Sequence, residues 1–315
     1  STQSRSSAAS DVYKRQIKIS SVGLEEAKLI ASTNLCDAFG RTGIGGRKEN
    51  QDNYTGMSVG NNVILTVCDG MGGMNGGQTA SRIAVTEIAQ ILAESPVEEL
   101  GEKAIYKAVD AANAAIYRRA LNDPPLRGMG TTATVLVLTP EAAYLTHVGD
   151  SRIYQLRKGK KEFRTFDHSK VFEMVAQNMM TEEQARQSSF SNIITRALGI
   201  RPKVDMVVEK IPYKKGDRFI LCCDGIWNTL PEPEMMKLFL AKSIAKEEVE
   251  YLTETVNGIG EQRGGDHDNL TAIVVDVKQK STYQYGCLKL AGLAIKRQLA
   301  RLGKGKGKSR NVKRS

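Results

Sequence analysis

The order of elements along the chain predicts an α+β fold in which antiparallel sheets carry helices on their outer faces. Strand-like runs come first, two helical segments follow, and then come more strands, two helices and a last strand. This grouping differs from the strict strand–helix alternation of a parallel α/β protein. Three successive β-rich runs with short links, at 131–138, 142–148 and 151–157, also indicate an antiparallel meander.

Each element is assigned from its periodicity and composition. In chain order, strands are predicted from 17–19 (an edge strand), 63–68, 131–138, 142–148, 151–157, 204–211, 218–223 and 270–277. Apolar residues at helical spacing predict helices at 78–94, 102–121, 232–242 and 247–263, and a weak one at 25–32. The polar, Met- and Gln-rich segment 172–189 is expected to be a weakly helical, mobile insertion.

Length and composition suit one globular domain with two extensions. The 315 residues are 41% hydrophobic and 25% charged, as in ordinary soluble proteins. Residues 1–16 are Ser-rich and lack apolar periodicity, so we expect them to be disordered or non-native. The domain itself is predicted over 17–277, followed by a basic tail at 278–315.

The net charge of +10 is concentrated at the end of the chain. Residues 277–315 hold twelve Lys or Arg and no acidic residue, and residues 1–16 add +2, which leaves −4 for residues 17–276. We therefore expect no specific nucleic-acid binding. If 288–302 is helical, its apolar residues line one face and suit an anionic membrane or an acidic partner. A solvated tail is the alternative.

The five cysteines form no CxxC pair, and Cys68, Cys222 and Cys223 lie in apolar runs. This usage indicates a reducing, cytoplasmic compartment. The three histidines are scattered, which argues against zinc. No apolar run approaches the roughly 18 residues that span a bilayer, and no secretory signal is visible.

Four aspartates stand at the ends of strand-like runs. Asp69 and Asp224 each end a run and precede Gly, Asp150 follows the run 142–148, and Asp268 precedes the last strand. An Asp-Gly pair after a strand is most often only a turn. Carboxylates from several strands can instead converge on hard divalent cations, with the Gly allowing close approach to the backbone.

Eight short motifs occur in order. They are 47–54 (RKENQDNY), 67–73 (VCDGMGG), 128–133 (GMGTTA), 147–152 (HVGDSR), 167–169 (DHS), 194–199 (ITRALG), 223–225 (CDG) and 268–271 (DNLT). This pattern closely resembles the metal-dependent type 2C serine/threonine phosphatases, the PPM family, in their bacterial form. The resemblance implies a four-layer αββα sandwich, in which two central antiparallel β-sheets are flanked by pairs of helices.

The resemblance also implies hydrolysis of phosphoserine and phosphothreonine on proteins by a metal-activated water, opposing a bacterial Ser/Thr kinase. The cofactors would be two, or three, Mn²⁺ or Mg²⁺ ions. By this resemblance, Asp69 would bridge two ions and the carbonyl of Gly70 would be a backbone ligand. Asp224 and Asp268 would complete one ion's shell, and Asp52 would act on the second ion. Asp150, with Asp224, would hold a third ion, and Arg47 would hold the substrate phosphate.

Some positions depart from the family pattern. Gln51 stands where many members have Glu, and Met71 where animal members have a candidate general-acid His. Met74 and Gln78 replace the His and Glu of the bacterial pattern. None of these is an implied ligand aspartate, so we still expect activity.

Two alternatives stay open. The chain could be a catalytically weak member that binds phosphoproteins as a regulatory interaction module, although such a member would be expected to lose metal aspartates. A different two-metal phosphoesterase would typically recruit histidine ligands. We expect a monomer, and we expect the family's flap, at about 170–192, to set peptide preference.

Overall fold

The computed structural model of the protein describes residues 19–72 and 76–284. The predicted N-terminal segment 1–16, most of the predicted edge strand at 17–19, and the tail from residue 285 on lie outside these residues. The described residues form twelve strands and seven α-helices. Among those seven, none is both long and apolar enough to cross a membrane.

The strands build two antiparallel sheets. They are β1 (Lys28–Ser32), β2 (Cys36–Gly43), β3 (Asp52–Val59), β4 (Asn62–Met71), β5 (Gly130–Thr131), β6 (Ala133–Leu138), β7 (Ala143–Val148), β8 (Arg152–Arg157), β9 (Lys160–Arg164), β10 (Glu209–Ile211), β11 (Arg218–Cys222) and β12 (Leu270–Val277). The first sheet has the order β1-β2-β12-β11-β8-β9. The second has the order β10-β7-β6-β4-β3, with β5 paired to β4.

Helices cover the outer face of each sheet. They are α1 (Gly76–Glu94), α2 (Glu102–Asn122), α3 (Lys170–Ala176), α4 (Glu182–Arg186), α5 (Asp224–Trp227), α6 (Glu232–Leu238) and α7 (Ala245–Gln262). The long α1 and α2 pack on the second sheet. On the first sheet one long helix, α7, packs together with the shorter α3, α5 and α6.

Alternation along the strands creates the layers. In β4, Val63 and Leu65 point between the two sheets, whereas Ile64 points to the core beneath α1 and α2. A strand places successive side chains on opposite faces, so one apolar run can serve two cores. In β11, Phe219 and Ile220 divide in the same way between the inter-sheet core and the core under α7. The predicted αββα sandwich is confirmed.

The predicted three-strand meander and two predicted elements are wrong. Of the meander, β6 and β7 pair in the second sheet, but β8 lies in the first sheet, because the turn between Val148 and Arg152 carries the chain across the sandwich. The weak helix at 25–32 is instead the edge strand β1, which pairs antiparallel with β2. The available hydrogen bonds of the β2 edge outweigh a short segment's helical tendency, because isolated short helices are marginal in water. The strand predicted at 204–211 forms only over Glu209–Ile211, where its residues pair with β7.

Candidate metal centre

Strand ends bring the predicted carboxylates to one place. Asp52 opens β3 directly opposite Asp69 of β4, so register alone makes these two neighbours across an antiparallel pair. Asp224 begins α5 just after β11, and Asp268 lies two residues before β12, which pairs with β11. Asp150 follows β7. The first sheet and the second sheet thus contribute to the same edge of the sandwich.

A cleft of about 540 Å³ opens at this edge. It is lined by six of the seven predicted site residues, namely Arg47, Asp69, Gly70, Asp150, Asp224 and Asp268. The seventh residue, Asp52, is only 5% exposed and does not line the cleft, but it lies directly opposite Asp69 in the β3–β4 pair. The structure therefore gathers all the predicted residues around one cavity.

The carboxylates oppose one another's ionisation. Burial raises the pKa of Asp69 well above its usual range, and the neighbouring charges of Asp52, Asp224, Asp150 and Asp268 add to the effect. Burial likewise raises the pKa of Asp52 to about 7 and that of Asp224 to about 6. Such mutual repulsion between anions is relieved when a cation binds among them.

The chemistry of the cleft fits divalent cations. Both carboxylate oxygens of Asp52 are buried and accept no hydrogen bond, an arrangement that is costly unless a cation or proton is supplied. All the side-chain donors offered are oxygens, as Mn²⁺ and Mg²⁺ prefer. Gly70 lines the cleft and passes so close to the carbonyl oxygen of Gly77 that any Cβ would collide with it, so only glycine fits there.

The carboxylates of the cleft do not already form a compact metal-binding cluster among the described residues. Within the described ranges, no group of three His, Cys, Asp or Glu side chains stands in a preformed metal-binding arrangement. Asp268 is engaged elsewhere, because Arg47 donates to both of its oxygens, at 3.1 Å from Nε and 2.9 Å from Nη2. A bound cation would compete with Arg47 for Asp268 and leave the guanidinium available to another anion.

An amide that sequence reasoning missed holds the Arg47 loop. Asn269 is 6% exposed, and its Nδ2 donates to the carbonyl oxygens of Ile44 (2.8 Å) and Glu49 (3.0 Å). Its Oδ1 accepts from the backbone N–H of Gln51 at 2.9 Å. The Asn269 side chain therefore holds the backbone on both sides of Arg47, and it also holds the residue that directly precedes Asp52. The only sequence signal was its place directly after Asp268.

Threonine hydroxyls hold the backbone of Asp69. The Asp69 N–H donates to Thr132 Oγ1 at 2.9 Å, and Thr131 Oγ1 donates to the Asp69 carbonyl oxygen at 2.8 Å. The hydroxyl of Thr132 also pairs with that of Ser151 at 2.8 Å, linking β4 to the residue after Asp150. These contacts give the three hydroxyl residues a structural role beside the cleft.

The DHS segment is structural as well. Asp167 accepts two hydrogen bonds of 2.7 Å from Arg152, in a buried ion pair. Ser169 caps α3 by accepting from the N–H of Phe172. His168 stacks on His147 with ring centroids 4.4 Å apart and takes no part in a triad.

The predicted flap borders the cleft. It contains α3 and α4, and Asn192 at its end lines the cavity together with Ile194 just beyond it. Arg164 of β9 holds α4 through two hydrogen bonds to Glu182, of 2.8 and 3.1 Å. The segment is therefore anchored at α4, while its end reaches the cleft.

Comparison with known proteins gives a consistent result. Residues 39–259 match the family model described as protein phosphatase 2C. The chain is 32% identical over 242 residues to the serine/threonine phosphatase stp of Listeria monocytogenes serovar 1/2a, covering 75% of this chain and 90% of that protein. It is also 32% identical over 241 residues to the serine/threonine protein phosphatase PstP of Mycobacterium tuberculosis, covering 76% of this chain and 44% of that protein.

Solved structures show the same fold. The PPM Ser-Thr phosphatase MsPP of Mycobacterium smegmatis superposes with a TM-score of 0.67 at 27% identity, covering 78% of this chain and 99% of that one. The catalytic domain of PstP in complex with two manganese ions gives a TM-score of 0.65 at 29% identity, with coverage of 78% and 99%. This chain therefore belongs to the protein phosphatase 2C family.

Proposed function

We propose that this protein hydrolyses phosphoserine and phosphothreonine on proteins with the help of two, or three, Mn²⁺ or Mg²⁺ ions. The observation that carries the proposal is the single cleft where aspartates from both sheets meet beside Arg47. The residues that would hold the ions are Asp52, Asp69, Asp224, Asp268 and the carbonyl of Gly70, with Asp150 and Asp224 for a third. Bound cations supply Lewis-acid activation of water and neutralise phosphate charge.

The chain's own residues position the substrate. Arg47 presents a planar fork that matches two phosphate oxygens and is fixed by Asn269 through its loop. Once its pairing with Asp268 is exchanged for the phosphate, the guanidinium stabilises charge in the transition state. Met71 lines the cleft where a proton donor would serve, and its thioether has no proton to give. We propose that the leaving group takes its proton from solvent.

The non-catalytic alternative is not favoured. A phosphoprotein-binding module would need Arg47 and an open cleft but not a full set of carboxylates. Here every implied ligand aspartate is present, and burying so many anions is destabilising without cations to offset it. The arrangement is better explained by catalysis than by recognition alone.

Several finer statements belong to the same proposal. Residues 17–277 act as the catalytic domain, in the cytoplasm and as a monomer, and they oppose a bacterial Ser/Thr kinase. The flap at about 170–192 contributes to peptide preference, which its contact with the cleft supports. The basic tail, 278–315, contacts an acidic or anionic surface, as its composition suggests.

The test is metal-dependent turnover. The wild-type protein should hydrolyse p-nitrophenyl phosphate and a phosphothreonine peptide with Mn²⁺ and lose activity in EDTA. Asp69→Asn should lower kcat at least about 100-fold, because it removes the proposed bridging charge. Asp110→Asn, on the exposed face of α2, is the matched control and should leave turnover unchanged. Wild-type protein without metal-dependent turnover would refute the enzyme, and an active Asp69→Asn would refute the site.

A further inference from the structure

A second large groove lies at the opposite end of the helix layer, with a volume of about 1170 Å³. Its walls come from the end of α1, the short helical turn Val97–Glu99, the start of α2 and the β6–β7 turn. Asn62, the first residue of β4, lines this groove, whereas Asp69 near the end of β4 lines the cleft. At about 3.3 Å per strand residue, the two cavities are roughly 20–25 Å apart.

The groove combines an apolar floor with an acidic rim. Val97 is 48% exposed within it, beside Pro96 and the buried Leu100. Apart from a Lys210–Glu141 ion pair, its charged residues make no ion pair within the part of the chain that the structure describes. These are four exposed glutamates and two exposed lysines, namely Glu94, Glu98, Glu99, Glu102, Lys103 and Lys107. The rim therefore carries excess negative charge.

The described chain ends at the edge of this groove. The N–H of Thr282 donates to the carbonyl oxygen of Pro140 at 3.1 Å, and that of Tyr283 donates to Glu141 at 2.8 Å. The ammonium of Lys210 lies 4.7 Å from the centre of the Tyr283 ring and 5.3 Å from that of Tyr144. The last described residues therefore lie beside the groove's own lining residues.

The residues that follow have the complementary composition. Residues 285–315 contain ten Lys or Arg and no Asp or Glu, interleaved with apolar residues such as Leu288, Leu293 and Ile295. We propose that this basic tail of the chain itself occupies the groove, with its cations on the glutamate rim and its apolar residues on the floor.

Tethering favours the chain's own tail over other occupants. A segment joined at the groove's edge is present at an effective concentration of about a millimolar or more, so weak contacts suffice. The proposed contact leaves the catalytic cleft open, because it lies at the other end of β4. It would not inhibit catalysis.

Paramagnetic relaxation in the full chain tests the contact. The double substitution Cys287→Ser/Gly303→Cys leaves one thiol in the tail for a nitroxide label, 20 residues beyond Tyr283. The cysteines of the described domain are buried, and burial raises the pKa of their thiols, which disfavours labelling. We expect the amide signals of 94–104 to lose more than half their intensity. Glu98→Lys/Glu99→Lys should restore them at least twofold, whereas Glu234→Lys/Glu247→Lys, an equal charge change on the α6–α7 side, should not. Turnover of p-nitrophenyl phosphate should stay within twofold in both.

Contrary results would overturn the proposal, and two of them would also identify another occupant of the groove or another target of the tail. Broadening that is absent, or that charge reversal in the groove leaves unchanged, would overturn the proposal. Broadening of an isotope-labelled chain mixed with a spin-labelled, unenriched chain would assign the groove to a second copy's tail. An unbroadened groove together with binding to phosphatidylglycerol vesicles would assign the tail to membranes.

Discussion

Individual residues at the cleft differ in how far the sequence could predict them. The gathering of Asp69, Asp224 and Asp268 at one cleft was predictable, because strand ends hold side chains in known directions. Asn269 was not, because its importance lies in three backbone atoms at 44, 49 and 51 that only the folded loop brings within reach. Hydrogen bonds from a side chain to distant backbone leave no periodic signal in a sequence.

Asn269→Ala should uncouple the Arg47 loop from the metal-ligand segment. Three hydrogen bonds are lost at about 1 kcal/mol each, so we expect the free energy of unfolding to fall by about 2–3 kcal/mol. KM for a phosphopeptide should rise more than kcat falls, because Arg47 is the residue proposed to hold the substrate phosphate. Urea unfolding and steady-state kinetics measure both effects.

The matched control is Asn122→Ala, an exposed amide at the end of α2 and away from the cleft. It should change neither quantity appreciably. Equal behaviour of the two variants would show that Asn269 does not position the loop.

At the scale of elements, most of the interior was predictable and the edges were not. The helices α1 and α2 and most central strands follow apolar periodicity closely, because both faces or one full face of each is buried. The exception is β2, a largely buried interior strand whose Gly-rich sequence predicted no strand. By contrast β1, β3 and β9 contain many partly exposed residues, and no strand was predicted there. Whether such a segment becomes a strand depends on its pairing with a neighbouring strand, and the local sequence does not show which strand that will be.

The helix α7 is joined to the first sheet by a charge cluster that should make stability pH-dependent. Glu248 accepts a 2.8 Å bond from Arg218, which also binds Asp276. Burial raises the pKa of Glu248 to about 7, and Arg218, which also pairs with Asp276, only partly offsets this effect. The folded protein therefore keeps this proton at pH values where the unfolded chain has lost it, and stability should decline as pH rises from about 4.5 to 7.

Glu248→Gln should remove that decline. Relative to wild type, the variant should gain about 1–3 kcal/mol between pH 5 and pH 7.5, from the linkage between pKa and folding. Glu247→Gln, the exposed neighbour, should leave the difference unchanged. The measurement is urea unfolding of each protein at both pH values. A pH profile of Glu248→Gln parallel to that of wild type would contradict the raised pKa.

The flap should affect peptide choice without affecting chemistry. Replacing residues 177–192 with the flap of another family member leaves Arg47 and the aspartates untouched, while it changes the cleft wall at Asn192. We expect the ratio of kcat/KM values for two phosphopeptides to change about tenfold or more, which corresponds to about 1.4 kcal/mol. Hydrolysis of p-nitrophenyl phosphate, too small to reach the flap, is the control. Unchanged peptide ratios would exclude the flap as a selectivity element.

At the scale of the whole molecule, charge is separated between the acidic domain and its basic end. The repulsion among the cleft carboxylates costs stability, and the two sheets that carry them must be held together against it by the inter-sheet core. Cations that bind the native cleft should therefore stabilise the entire sandwich, since ligands come from both sheets. At 100 times its dissociation constant, an ion adds about 2.7 kcal/mol.

Mn²⁺ should accordingly raise the Tm by about 5–10 °C at pH 8, taking about 2–4 °C per kcal/mol for a domain of this size. The gain should shrink at pH 6, because Asp52, with a pKa of about 7, then binds a proton that competes with the ion. Differential scanning calorimetry with Mn²⁺ or EDTA at both pH values measures this. Asp69→Asn, which removes the charge between the proposed ions, should abolish most of the gain while Asp110→Asn keeps it. A Tm gain that is as large at pH 6 as at pH 8 would mean that the ions bind away from the buried carboxylates.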